Sequence, residues 1–234
     1  YIKKYKNLGF SSDLALRVYS TRLLGRNKEL VLHGGGNTSV KTTIKDIDGR
    51  KYKVLCVKGS GWDMADIEPA GLPAVKLEPL LAMKKKKYLS DEDMVSYQKK
   101  NLIDIKSPNP SVETFLHAFL PFKFVDHTHA DAVLNITNRP GGLNFCKKVF
   151  GEKVSVVPYV MPGFMLAKKI NEIYLKNPNI NCLILMNHGI FTFANNCKEA
   201  YDLMIKYVSK AERAIKKLKS KKIKQIKKFS TKFN

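Results

Sequence analysis

Five histidines occur in the 234 residues, and three of them have neighbours that suit metal chemistry. His127 and His129 lie at i and i+2 within Val125-Asp126-His127-Thr128-His129-Ala130. In a strand, side chains two residues apart point to the same face, so these two imidazoles can reach one ion. His188 stands in Asn187-His188-Gly189, where an apolar run ends and a glycine follows, so a tight turn can aim it. Three neutral imidazoles with a fourth position open describe a catalytic zinc site. Taken singly, each histidine is equally well read as a core or surface residue, and spacing alone does not bring His188 to the pair.

A second group is Pro110-Ser111-Val112-Glu113. Asn109 suits a helix cap and Pro110 the first helical position, which predicts a helix over residues 111–120. The N–H groups of a helix start favour an anion, and Ser111 adds a hydroxyl donor. Glu113 is read either as an acid/base or as a charge that complements the helix dipole. His117, four residues on, pairs with that carboxylate or belongs to the core. Two glycine loops complete the set. Gly34-Gly35-Gly36-Asn37 and Gly59-Ser60-Gly61 let backbone approach a ligand closely, and such loops can hold phosphates through their N–H groups. Neither is a Walker loop, and no G-x-G-x-x-G follows a strand. An HGGG stretch also occurs in esterases, but the G-x-S-x-G nucleophile elbow is missing.

The elements that must position these residues alternate irregularly between helix and strand patterns. Helices are predicted over 13–24, 75–83, 91–101, 111–120, 142–150, 163–176 and 198–218. Strands are predicted over 40–47, 51–57, 124–133, 153–157, 181–186 and 189–193. This is an α/β chain with hairpin-like strand neighbours, not a strict doubly wound alternation. There is no internal repeat.

Composition bounds the class. Hydrophobic residues make up 44% of the chain, enough for one core at this length. No apolar run reaches a membrane span, and the N-terminus has no signal-peptide core. The chain does not begin with Met, which leaves room for residues upstream. Cys56, Cys146, Cys182 and Cys197 form no C-x-x-C pair, so a cysteine zinc site is not expected and a cytoplasmic chain with free thiols is. The net charge of +22 invites a nucleic-acid reading. Half of it falls between Lys206 and Lys232, where eleven Lys, one Arg and one Glu give +11. Aromatics are not interleaved with these lysines as a stacking platform requires, so the run is read as a solvated basic tail rather than a nucleic-acid site.

In order, HGGGNTSVK, VKGSGWD, PSVETFLH, VDHTHAD and LMNHGIF resemble the class II aldolase/adducin family. The nearest flavour is the rhamnulose-1-phosphate aldolase-like domain found joined to short-chain dehydrogenases. The resemblance spans residues 30–200. It implies a single-domain, three-layer α/β/α fold with a central, mostly antiparallel sheet over residues 1–210, and a basic helix or tail over 211–234. It implies Zn2+ or another divalent metal on His127, His129 and His188, and Glu113 as the acid/base. It assigns phosphate binding to Gly36, Asn37, Ser60, Gly61 and Ser111. The expected reaction is cleavage of a ketose 1-phosphate to dihydroxyacetone phosphate and an aldehyde. The alternatives are epimerase, dehydratase or decarboxylase chemistry on the same metal site, or a non-catalytic adducin-like module. Glutamate rather than aspartate at position 113 favours the aldolase. Val112 departs from the P-S-S-E of the sugar-phosphate aldolases and removes one phosphate donor. A homotetramer and a downstream dehydrogenase domain are further implications, with no membrane partner.

Overall fold

The computed structural model describes residues 1–46 and 48–230, with side chains through residue 218. Position 47, in the first predicted strand, and the final 231–234 of the basic tail lie outside the described residues.

Seven strands form one sheet in the order β3-β2-β1-β4-β7-β6-β5. These are β1 (Asn37–Lys45), β2 (Lys51–Val57), β3 (Ala74–Lys76), β4 (Phe124–Thr128), β5 (Val154–Val157), β6 (Cys182–Leu185) and β7 (Gly189–Ala194). Every neighbouring pair is antiparallel except β5 with β6. The helices among the described residues are α1 (Ile2–Asn7), α2 (Ser12–Gly25), α3 (Leu77–Ala82), α4 (Asp91–Lys100), α5 (Thr114–Phe119), α6 (Asp131–Thr137), α7 (Gly142–Phe150), α8 (Phe164–Lys176) and α9 (Cys197–Ser230).

The strands alternate their side chains between two buried cores, which makes the molecule three layers thick. Val54, Cys56, Phe124, Cys182 and Ile184 face one core with α2, α6, α7 and α9. Leu55, Val57, Val125, Leu183 and Leu185 face the other with α3, α4, α5 and α8. The three-layer α/β/α expectation therefore holds. Local signals set several helix starts: the Ser11 side chain accepts from the Leu14 N–H at 3.1 Å, and Ser90 does the same for Asp93.

Three expectations need correction. The strand predicted over 124–133 stops at Thr128, and α6 begins at Asp131. Val133 and Ile136 recur at helical spacing and bury against α9, which overrides the strand-like run before them. The helix predicted over 75–83 begins at Leu77, because Ala74–Lys76 pairs with β2 as an edge strand and Val75 is buried there. The helix predicted over 111–120 begins at Thr114, with Glu113 in the capping position. Pro110 instead bridges Gly59, and the Ser111 N–H donates to the Lys58 carbonyl at 3.1 Å, so this segment is tied to the second glycine loop before any helix starts. All six residues of α5 are buried. Its end is held by the Lys41 ammonium, which donates to the carbonyls of His117, Leu120 and Phe122 at 2.7, 2.8 and 2.8 Å.

Candidate metal centre

Sheet pairing supplies the link that spacing could not. β4 lies between β1 and β7, with Asn37 opposite His127 on one side and Phe191 opposite His127 on the other. His129 follows the end of β4 and His188 precedes the start of β7. All three histidines and Asn37 thus meet at one end of three adjacent strands. One ligand nitrogen from each histidine lies within 4.8 Å of the others. The Nε2 atoms of His127 and His129 are 3.0 Å apart, close to the spacing of two imidazole nitrogens that share a tetrahedral ion at about 2.0–2.1 Å.

The donor chemistry fits a divalent metal. His127 is fully buried, and its Nδ1 lies 3.0 Å from the Ile190 carbonyl, which can only accept. Nδ1 therefore carries the proton and Nε2 presents a lone pair, as metal-ligating histidines usually do. Phe191 stacks on the His127 ring with centroids 4.0 Å apart and fixes its plane. Burial holds His127 and His129 below the usual histidine range and pushes His188 down to about 4. All three are neutral at pH 7, the state in which imidazole binds metal. Two buried polar atoms of these side chains, His188 Nδ1 and Glu113 Oε1, have no hydrogen-bond partner among the described residues. Such orphans call for a ligand.

Glu113 stands over the triad. Its Oε2 is 3.4 Å from His127 Nε2 and its Oε1 is 3.4 Å from His188 Nε2. Burial pushes its carboxyl up to about 7, opposed by the hydrogen bond from Asn37. Asn37 Nδ2 donates to Glu113 Oε2 at 2.7 Å and to Ser111 Oγ at 3.1 Å. Ser111 Oγ also accepts the Glu113 N–H at 3.2 Å, so its own proton is the one it can offer a ligand.

These residues open onto a cavity of about 410 Å³ that contains Gly36, Asn37, Ser60, Gly61, Ser111 and Glu113. The predicted site residues therefore converge, but the predicted anion cradle is narrower than expected. The N–H groups of Gly59 and Ser60 already donate to Gly71 and Asn109. The short α5 offers no exposed N-terminus either, since Glu113 occupies its cap. Sequence reasoning missed Lys58. Its side chain is buried in the pocket wall, with Nζ donating to the Gly34 carbonyl at 2.9 Å. Its position directly before Gly59-Ser60-Gly61 is the signal that could have found it. His117, expected in the core or beside Glu113, is fully buried, and it bonds Ser39 and Asn37 rather than the carboxylate.

Gly189 shows how tightly the triad is built. A Cβ placed there would lie 2.4 Å from the Thr128 carbonyl oxygen, 3.1 Å from His127 Cε1 and 3.2 Å from His129 Cδ2. Gly189→Ala should displace two candidate ligands at once and weaken metal binding by about 10- to 100-fold, the range seen when ligand-orienting contacts are lost. Competition with a chromogenic chelator measures this. Wild-type affinity in the variant would count against the assigned ligands.

Residues 16–215 match the model of the class II aldolase and adducin N-terminal domain, and the chain belongs to that family. It is 47% identical to the N-terminal class II aldolase domain of a conserved protein from Thermoplasma acidophilum, with a TM-score of 0.81 over 88% of this chain and 95% of that one. It is 40% identical over 198 residues to the Bacillus subtilis (strain 168) protein called uncharacterized oxidoreductase YuxG. That match covers 85% of this chain and 29% of the relative, so the chain spans less than a third of that protein's length. L-fuculose-1-phosphate aldolase from Thermus thermophilus shares the fold at 19% identity, with a TM-score of 0.53 over 85% of this chain and 93% of that one.

Proposed function

We propose that this domain is a divalent-metal aldolase, zinc being the metal that three imidazoles suit best, and that it cleaves a ketose 1-phosphate into dihydroxyacetone phosphate and an aldehyde. The observation that carries the reading is the convergence of His127, His129 and His188 beside a buried carboxyl with one oxygen free, at a cavity that His129, His188 and Glu113 line. A metal held by these histidines would draw electron density from the substrate's ketone and its neighbouring hydroxyl. The carboxylate of Glu113 accepts the proton of the C4 hydroxyl as the C3–C4 bond breaks and its electron pair moves toward the C2 carbonyl. The same carboxyl then returns the proton to C3, so the reaction neither gains nor loses protons or electrons. Ser60, Gly61 and Ser111 hold the substrate's anionic end, and the Lys58 ammonium in the wall supplies positive charge. That charge offsets the donor lost at Val112, which is exposed at the pocket.

The name of the longer Bacillus subtilis relative supports a second element of the proposal, an oxidoreductase unit working beside this one. No helix among the described residues is long and apolar enough to cross a membrane. A homotetramer in the cytoplasm is the expected working form.

The test is a screen of ketose 1-phosphates for aldehyde release, run on protein stripped of metal and on protein reloaded with Zn2+. Release that depends on reloading is the expected result. Epimerised substrate without cleavage would move the site to the epimerase alternative. A protein that never retains stoichiometric metal would sink the enzyme reading altogether.

A further inference from the structure

We infer that His117 is a positioning residue which, through the Asn37 amide, decides which oxygen of Glu113 is free to exchange a proton. The catalytic half of this inference rests on the proton-shuttle reading of Glu113 above.

The polar side chains around Glu113 meet in a closed space. Ser39 and His117 are fully buried, and Asn37 and Glu113 are 6% and 4% exposed, so these polar atoms must satisfy one another. His117 Nε2 lies 2.5 Å from Asn37 Oδ1, and His117 Nδ1 lies 2.8 Å from Ser39 Oγ. With Glu113 ionised, the Asn37 amide nitrogen must face its Oε2, because the reverse orientation would set an amide oxygen against a carboxylate. Its oxygen therefore faces His117, and an amide oxygen only accepts. His117 must then carry its proton on Nε2, and its Nδ1 lone pair takes the Ser39 hydroxyl proton. Every donor points the same way: Ser39 to His117, His117 to Asn37, Asn37 to Glu113. Bonds aligned in this way polarise and strengthen one another.

The sequence builds this chain from two short spacings. Asn37 and Ser39 share one face of β1 at i and i+2, and Glu113, the cap of α5, lies at i to the i+4 of His117 within that helix. Phe191 packs edge-on against His117 at 5.6 Å while it stacks on His127, so one aromatic ring braces both the relay and a metal ligand. The outcome at the carboxyl is asymmetric. Oε2 is occupied by Asn37, and Oε1 is left without a hydrogen-bond partner among the described residues. Oε1 is the atom that takes and returns the proton.

The test compares His117→Phe, which keeps the ring and removes both nitrogens, with His117→Gln, whose amide can still donate to Asn37. Nitrogen-15 spectra of histidine-labelled wild type, with no substrate present, should show His117 protonated on Nε2 with slow exchange. The Asn37 side-chain amide should be protected in wild type and in His117→Gln, and should exchange freely in His117→Phe. An Nδ1-protonated or doubly protonated His117, or an Asn37 amide equally protected in the phenylalanine variant, overturns the inference even if the protein proves to be an aldolase. On a cleaved substrate, His117→Phe should keep its metal and change KM less than about threefold. Its kcat should fall about 100-fold, within the range of a disturbed acid/base group, and the glutamine variant should recover most of that loss. A fall confined to KM or to metal content, with no recovery in the glutamine variant, would assign His117 a purely structural role. If no ketose 1-phosphate is cleaved, the aldolase reading fails, and the two spectroscopic results still decide the relay.

Discussion

Glu113→Gln should retain its metal and lose turnover by about 10²- to 10⁴-fold, the contribution typical of a positioned acid/base. The three proposed ligands are imidazoles, and Glu113 comes no nearer than 3.4 Å to those of His127 and His188, so removing its charge leaves the donor set complete. The amide fills the same volume, and its oxygen can still accept from Asn37. What it lacks is a proton that can be exchanged. The variant should also reveal a cost of the native residue. The folded carboxyl titrates at about 7 against an ordinary value of 4.5, so ionising it opposes folding, and stability is lost as the pH rises through that window. Metal-free Glu113→Gln should therefore be at least as stable as metal-free wild type at pH 8, by urea unfolding. Metal analysis beside single-turnover kinetics checks the first part. Full turnover in the variant would remove Glu113 from the chemistry, and loss of metal would make it a ligand.

Much of this site is legible in the sequence because its signals are local. His127 and His129 announce themselves by i, i+2 spacing at the end of an apolar strand, and the glycine loops by the absence of side chains. His188 belongs to the group only because β7 pairs with β4, and a strand's partner is not written in its own periodicity. Local signals misplace the start of α5 for a related reason. Asn109-Pro110 is a good helix start, but the carbonyl of Lys58 and the bridge to Gly59 capture the segment first. α6 escapes a periodicity reading because Ala130-Asp131-Ala132-Val133 continues an apolar strand smoothly, and the helical recurrence of Val133 and Ile136 tells only through their burial against α9. The family pattern assigns Asn37 to a phosphate loop. It is the first residue of β1, and its amide serves Glu113 and His117, a role that depends on a residue 80 positions away.

Arg17→Met should destabilise the fold by about 3–5 kcal/mol, the cost of stripping one partner from a buried ion pair. In the sequence Arg17 is only one polar position in the amphipathic run of α2. In the fold it is fully buried, and its guanidinium lies 2.6 Å from the Asp126 carboxylate, also fully buried. The same group donates to the Ser39 carbonyl at 3.2 Å and to Ser20 Oγ at 2.6 Å. It therefore ties α2 to β1 and β4 on the face of the sheet opposite the metal site. Burial raises the Asp126 carboxyl in spite of Arg17, so the pair is held in a setting that disfavours charge. Removing Arg17 leaves Asp126 to be buried alone or protonated. The variant Arg17→Met/Asp126→Leu discards both charges, and pairs replaced by apolar residues of similar size are often neutral or stabilising. It should regain most of the lost stability in urea unfolding. Asp126 immediately precedes His127, and the two side chains leave β4 on opposite faces. If the ion pair also sets the register of that ligand, the double variant will refold to wild-type stability and still bind metal more weakly. Wild-type metal affinity in the double variant would confine the pair to the fold, and a single variant as stable as wild type would show that Arg17 and Asp126 carry no net stabilisation at all.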